Sequence, residues 1–176
     1  MAAPKRLPFL GAHIVMTILS LLAASPLSAA EAKVIKTLPQ FLDHQGRASL
    51  SPSLYERDSY QNYLRKHPKE LADLRLAVQW KASGVDWTKL SLRAELRGVI
   101  GNNLTYVVME IPVKKNGLFS NWSEFKIEGE NFRQFGELAA WRITLRDGGQ
   151  TIAEQQSFLW SPVGAAPPAA TVYDHR

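Results

Sequence analysis

The chain contains no cysteine. That absence excludes disulfide staples, thiolate metal sites and a lipid-modified N-terminal cysteine. Histidine is scarce as well: His13, His44, His67 and His175 lie far apart, and no pair has the spacing of a metal-binding helix. No G-x-S-x-G elbow is present. The glycines of GVIGNN (98–103) lack the lysine and the helix that a phosphate loop requires. Internal repeats, heptads and strand–helix alternation are missing too. Charge is mixed and scattered, with 21 Lys and Arg against 16 Asp and Glu, which fits nucleic acid poorly. These gaps leave no metal, cofactor or nucleic-acid partner to expect.

The one long apolar run lies at the start. Lys5 and Arg6 form a short basic region, Leu7 to Ala24 is mostly apolar, and SPLSAA places small residues at Ser28 and Ala30. This is the order of an export signal, cleaved after Ala30 or, in a second register, after Ala32. The alternative is an uncleaved anchor, for which the run is short. A disulfide-free exported chain of this size is expected in a bacterial envelope, either periplasmic or extracellular, with no membrane span after cleavage. Removing residues 1–30 takes away two basic residues and no acidic ones, leaving 146 residues with a formal charge of +3. That is one domain with enough apolar surface for a core. At the other end SPVGAAPPAATVYDHR (161–176) has almost nothing to bury and is expected to be disordered.

Between these ends the pattern has period two. In 74–82 Leu74, Leu76, Val78, Trp80 and Ala82 share one side, and in 90–98 Leu90, Leu92, Ala94 and Leu96 do so. LTYVVMEIPVKK (104–115) is more continuously apolar, with Pro112 marking an edge or a change of sheet. A short strand at 123–129, a helical turn at 130–136 ended by Gly136, and a strand at 138–147 with Ala139, Trp141, Ile143 and Leu145 on one face follow. DGGQ turns the chain into a last strand at 151–160, whose register depends on whether the loop has two or three residues. KVIKTL (33–38) is a further candidate strand. Short strands, turn signals and one-faced alternation predict a mainly β fold, an antiparallel β-sandwich with an N-terminal helix. By its strand order, its early Trp80 and its terminal hairpin, the segment from Leu74 to Trp160 resembles the immunoglobulin-like and fibronectin type III-like sandwiches. It lacks the paired cysteines of antibody domains. The resemblance implies an architecture and no activity. The division expected is a signal at 1–30, an N-terminal extension at 31–70 with a helix near 54–66, a sandwich at 71–160 and the tail.

GRASLSPSLYERDSYQNYLRKHP (46–68) concentrates polar and aromatic residues. Ser53 and Glu56 have capping-box spacing, and Pro68 stops the run. On the helical wheel Tyr60, Tyr63 and Leu64 share a face, so this stretch reads as a scaffold helix whose tyrosines pack. DHQG at Asp43 and His44 reads as a turn. An enzyme would need a site assembled from residues such as Asp43, His44, Glu56 and Asp58. No spacing brings them together.

Of five tryptophans, Trp80 and Trp141 are expected in the core and Trp160 in the last strand. Trp87 in SGVDWTK and Trp122 in GLFSNWSEF are expected in loops, beside Phe119. There they either plug the open end of the sandwich or form a platform for sugar rings. The function expected is a non-enzymatic binding or accessory module for an envelope protein or polysaccharide, with Trp87, Phe119 and Trp122 as ligand-binding residues. The alternatives are a structural subunit pairing through 104–111, and a hydrolase.

Overall fold

A computed structural model describes residues 31–160 and 171–172; the proposed signal segment and most of the tail lie outside the described residues. The chain is mainly β. Its elements in order are β1 (Glu31–Asp43), α1 (Leu54–Lys66), β2 (Leu71–Ser83), β3 (Leu90–Ile100), β4 (Asn103–Pro112), β5 (Asn121–Ile127), α2 (Gly129–Phe135), β6 (Glu137–Asp147), β7 (Gln150–Gln156) and β8 (Thr171–Val172). They form two sheets, β1-β2-β5 and β7-β6-β3-β4-β8. All long strands pair antiparallel, and the two-residue β8, from within the tail, adds to Val107–Val108 of β4 in parallel.

The alternation read from sequence points these strands correctly. Leu74, Leu76, Val78 and Trp80 of β2 and Leu92, Ala94 and Leu96 of β3 are completely buried, and they meet Phe125, Ile143 and Leu145 in one core cluster drawn from both sheets. Each leucine, isoleucine, valine and phenylalanine among them contributes ~1.5–3 kcal/mol by leaving water. Residues 31–43, grouped by sequence with an N-terminal extension, form a full strand paired along β2, with Ile35 bulged out.

The last hairpin uses a two-residue loop, with Gly148 and Gly149 at φ 54° and 93°, where both positions must be left-handed. A bulge then skips Ile152, so that Ala153 faces Leu145 and Gln155 faces Ile143. The two registers left open by the sequence are thus reconciled inside the strand. β7 stops at Gln156 rather than running to residue 160, because Ser157 closes on both backbone groups of Trp141 and the chain turns there. Trp160 therefore lies in a turn, buried beneath the guanidinium of Arg97 at 3.8 Å.

Helix α1 spans the expected residues, but Ser53 makes no side-chain cap. Its own backbone N–H is taken by Ser51 Oγ at 3.2 Å. Leu64 is fully buried, whereas Tyr63 stays 43 % exposed, stacked between Tyr60 and His67 instead of packing inward. Helix α2 buries Phe132 and Phe135 against both sheets, Phe132 meeting Phe41 of β1 and Phe135 meeting Gly98 of β3, and stops at Gly136, whose φ of 79° favours glycine. Among the described residues no helix is long and apolar enough to cross a membrane.

Both sheets have edges, and side-chain amides close those of the smaller one. Gln61 of α1 accepts from Phe41 N (2.8 Å) and donates to Phe41 O (2.9 Å), as a neighbouring strand would. On the opposite edge Asn116 accepts from Trp122 N (2.9 Å) and donates to Trp122 O (2.6 Å). Gln155 of β7 reaches Thr37 Oγ1 (2.9 Å) and Ile35 O (3.4 Å), joining the sheets along β1.

Gly98 sits where β3 shifts register, and an added Cβ would overlap the Phe135 carbonyl and crowd Thr105 Oγ1. Gly98→Ala should therefore lower stability by about 1–3 kcal/mol, measured by urea denaturation. An unchanged midpoint would show that α2 is not held against the sheet as described.

Candidate functional site

The three aromatic residues singled out from the sequence, Trp87, Phe119 and Trp122, lie at one end of the molecule, where β2, β4 and β6 finish and β1, β3, β5 and β7 begin. After β2 the chain turns at Gly84 and makes a short 3-10 turn, Trp87–Lys89. Asp86 organises it, accepting from Thr88 N at 3.0 Å and Thr88 Oγ1 at 2.6 Å and pairing with Lys89 at 3.1 Å. These hydrogen bonds, the Thr88 side chain foremost, bring the Asp86 pKa down to about 2. So fixed, Trp87 leans on Trp80 with ring centroids 5.9 Å apart, half-buried against the core.

The segment from Val113 to Ser120 rises beside it. Val113 is buried and donates its N–H to Leu90 O at 3.2 Å. Asn121, buried at the start of β5, accepts from Asn116 N (2.8 Å) and Gly117 N (3.1 Å), while Asn116 clasps Trp122. Gly117 lies so close to Ser120 O that a Cβ would collide with it. At the tip of this braced turn Leu118 is 83 % and Phe119 88 % exposed. Between tip and sheet lies an open cleft of about 340 Å³ lined by Trp87, Leu118, Phe119, Lys115, Lys81 and Glu31, the last two joined by a 2.6 Å ion pair.

Trp87 and Phe119 thus share one cleft. Trp122 does not line it, and its place differs from the expected loop: it is the second residue of β5, 42 % exposed on the sheet's outward side, opposite Gln79 and in line with Lys36. Leu118 is the member that sequence reasoning missed. Within NGLFSNW it reads as part of a turn, and only the braced geometry shows its side chain standing in solvent.

The acids and histidine considered for catalysis do not assemble. Asp43 is 4 % exposed and accepts from Gln45 N (2.8 Å), Arg47 N (2.9 Å), Arg47 Nε (2.8 Å) and Tyr60 O–H (2.6 Å). Burial alone would raise its pKa. The donors, led by Tyr60 and Arg47, outweigh burial and hold the carboxyl well below the usual carboxylate range. Asp43 is a clamp joining β1, the turn after it and α1. His44 Nε2 lies 2.9 Å from Lys69 O, and Glu56 and Asp58 are exposed on α1. Among the described residues no three His, Asp or Glu side chains are placed to hold a metal ion.

Two further clusters were not legible in sequence. On the outward face of the five-stranded sheet, Glu95 is 7 % exposed between Arg93 and Arg142, beside the pairing of Arg146 with Glu110. Burial acts to raise the Glu95 pKa, and Arg142 and Arg93 hold it below its ordinary value. Beside α1, Leu50, Tyr55, Tyr60 and Tyr63 border an apolar groove of about 360 Å³. No protein-family model, curated protein or solved structure matches the chain.

Because the Asp43 anion is bound by the folded state, its stabilisation is present above its ordinary pKa of 3.8 and declines as pH falls below that. Tyr60→Phe should cost on the order of 1–3 kcal/mol at pH 7, and its gap from the parent protein should narrow in urea titrations taken below about pH 4. Equal stability of the two proteins at pH 7 would refute the clamp.

Proposed function

We propose that this protein is an exported, non-enzymatic binding module, an immunoglobulin-like β-sandwich that docks onto a component of the bacterial envelope through its loop end. One observation carries the reading: two adjacent large apolar side chains, Leu118 and Phe119, are held out in solvent on a turn braced by Asn116 and Asn121. Side chains of this size ordinarily fold inward where the chain leaves them free to do so, and an apolar tip on a rigid base is the form of an interaction site. A saccharide reading draws on the same cleft. Phe119 and Trp87 both line it, with the charged Lys115, Lys81 and Glu31 alongside, a composition suited to a sugar ring and its hydroxyls.

The competing readings find less support. The donors around Asp43 leave it nothing with which to act as base or nucleophile. Self-assembly through β4 would have to displace β8 from Val107–Val108.

Export also bears on the mature N-terminus. Cleavage after Ala30 leaves β1 whole, whereas cleavage after Ala32 removes Glu31 and strips Lys81 of its ion-pair partner. N-terminal sequencing of exported protein should therefore read from Glu31, and a start at Lys33 would contradict this. Among the described residues every buried core side chain lies between Val34 and Trp160, within the chain that starts at Glu31. That chain should sediment with isolated cell-wall polymer or with envelope membranes. Leu118→Ser/Phe119→Ser should stay in the supernatant while its stability changes by less than about 0.5 kcal/mol. A parent chain that pellets with neither would overturn the docking reading.

A further inference from the structure

Resting on the docking reading, we infer that the partner of the loop end is an anionic lipid bilayer, with Leu118 and Phe119 entering the interface and a ring of lysines meeting the head groups. Three observations converge on this choice. The first is the tip itself: Leu118 and Phe119 stand in solvent, and Trp122, an indole 42 % exposed, follows three residues later on the outward side of β5. An aliphatic and an aromatic side chain at the point, with an indole set back from it, match the order of a membrane interface, where amphipathic rings gather at head-group depth.

The second is charge. Lys81 and Lys115 line the cleft beside the tip, Lys114 precedes it in the chain, Lys89 closes the turn after Trp87, and Lys33 and Lys36 lie in the first half of β1, which begins at this end. The acids at this end are Glu31, paired with Lys81, Asp86, paired with Lys89, Glu110 near the end of β4, paired with Arg146 and Arg93, and Asp147 at the end of β6. Among the described residues Lys33, Lys36, Lys114 and Lys115 have no carboxylate partner, so their charge is open to an external anion. Lysines presented as solvated point charges around an apolar tip complement a negatively charged leaflet.

The third is chain direction. β1 begins at this end, Glu31 pairing with Ser83, so the start of the mature chain that cleavage after Ala30 would leave lies on the side that carries the tip.

Flotation of the chain from Glu31 with phosphatidylcholine vesicles, with and without phosphatidylglycerol, tests this. The protein should float with the phosphatidylglycerol vesicles at low salt, its tryptophan emission shifting to the blue, and be released as salt rises. Lys114→Gln/Lys115→Gln should weaken partitioning about 25-fold, near fivefold per lysine. Leu118→Ser/Phe119→Ser should abolish it. Leu54→Ser/Tyr55→Ser, at exposed positions on α1, should float like the parent. No flotation, indifference to phosphatidylglycerol, or undiminished flotation of the tip variant would overturn the inference. A chain that pellets with purified cell-wall polymer yet ignores both vesicle types would overturn the lipid partner and leave the docking reading standing.

Discussion

A three-stranded sheet has as many outer strands as it can have, and that constraint shapes most of what surrounds β1-β2-β5. Each edge presents backbone donors and acceptors that need partners or invite another chain. The molecule meets this with amides instead of further strands. Gln61 copies a strand's two bonds at Phe41, and Asn116 does the same at Trp122. Each placement has consequences. Gln61 ties α1 against β1, so that the helix shields an edge more than it fills the core. Asn116 anchors the turn that lifts Leu118 and Phe119 into solvent, and the proposed docking end is therefore a by-product of edge closure. Gln155 finishes the arrangement by bonding across from the second sheet.

Two buried carboxylates follow a related logic. Asp43 and Glu95 both sit in low-exposure positions with guanidinium partners, and Asp43 has a phenol and backbone donors as well. A buried acid with every lone pair occupied fixes geometry and is poorly placed to move a proton. The concentration of polar groups in residues 43–67 is thus scaffold, and it holds the opposite end of the molecule from the tip. A braced turn that already holds Leu118 and Phe119 in solvent suits a module that docks, since the contact surface need not be ordered anew on binding.

Much of this architecture was readable from residue order. Alternation in 74–82 and 90–98 pointed Trp80, Leu92 and Leu96 inward, Pro68 and the helix formers before it bounded α1, and paired glycines marked the last turn. Each of those signals is local: a period of two, a missing N–H, a left-handed φ. What could not be read depends on partners distant in the chain. Ser53 and Glu56 had the spacing of a capping box, yet Ser51 Oγ accepts the Ser53 N–H that Glu56 would have taken. Trp122 had the neighbours of a loop residue, yet β2 drew it into a strand. Trp160 continued an apolar pattern, yet Ser157 closed on Trp141 and turned the chain beneath Arg97. By itself the sequence determined that strands would form, which faces would be buried and where the chain would turn, because steric and hydrophobic preferences act over a few residues. Only the tertiary structure decided which amide closes which edge and which apolar side chains remain outside, because those outcomes depend on groups up to 120 residues apart meeting within hydrogen-bond reach.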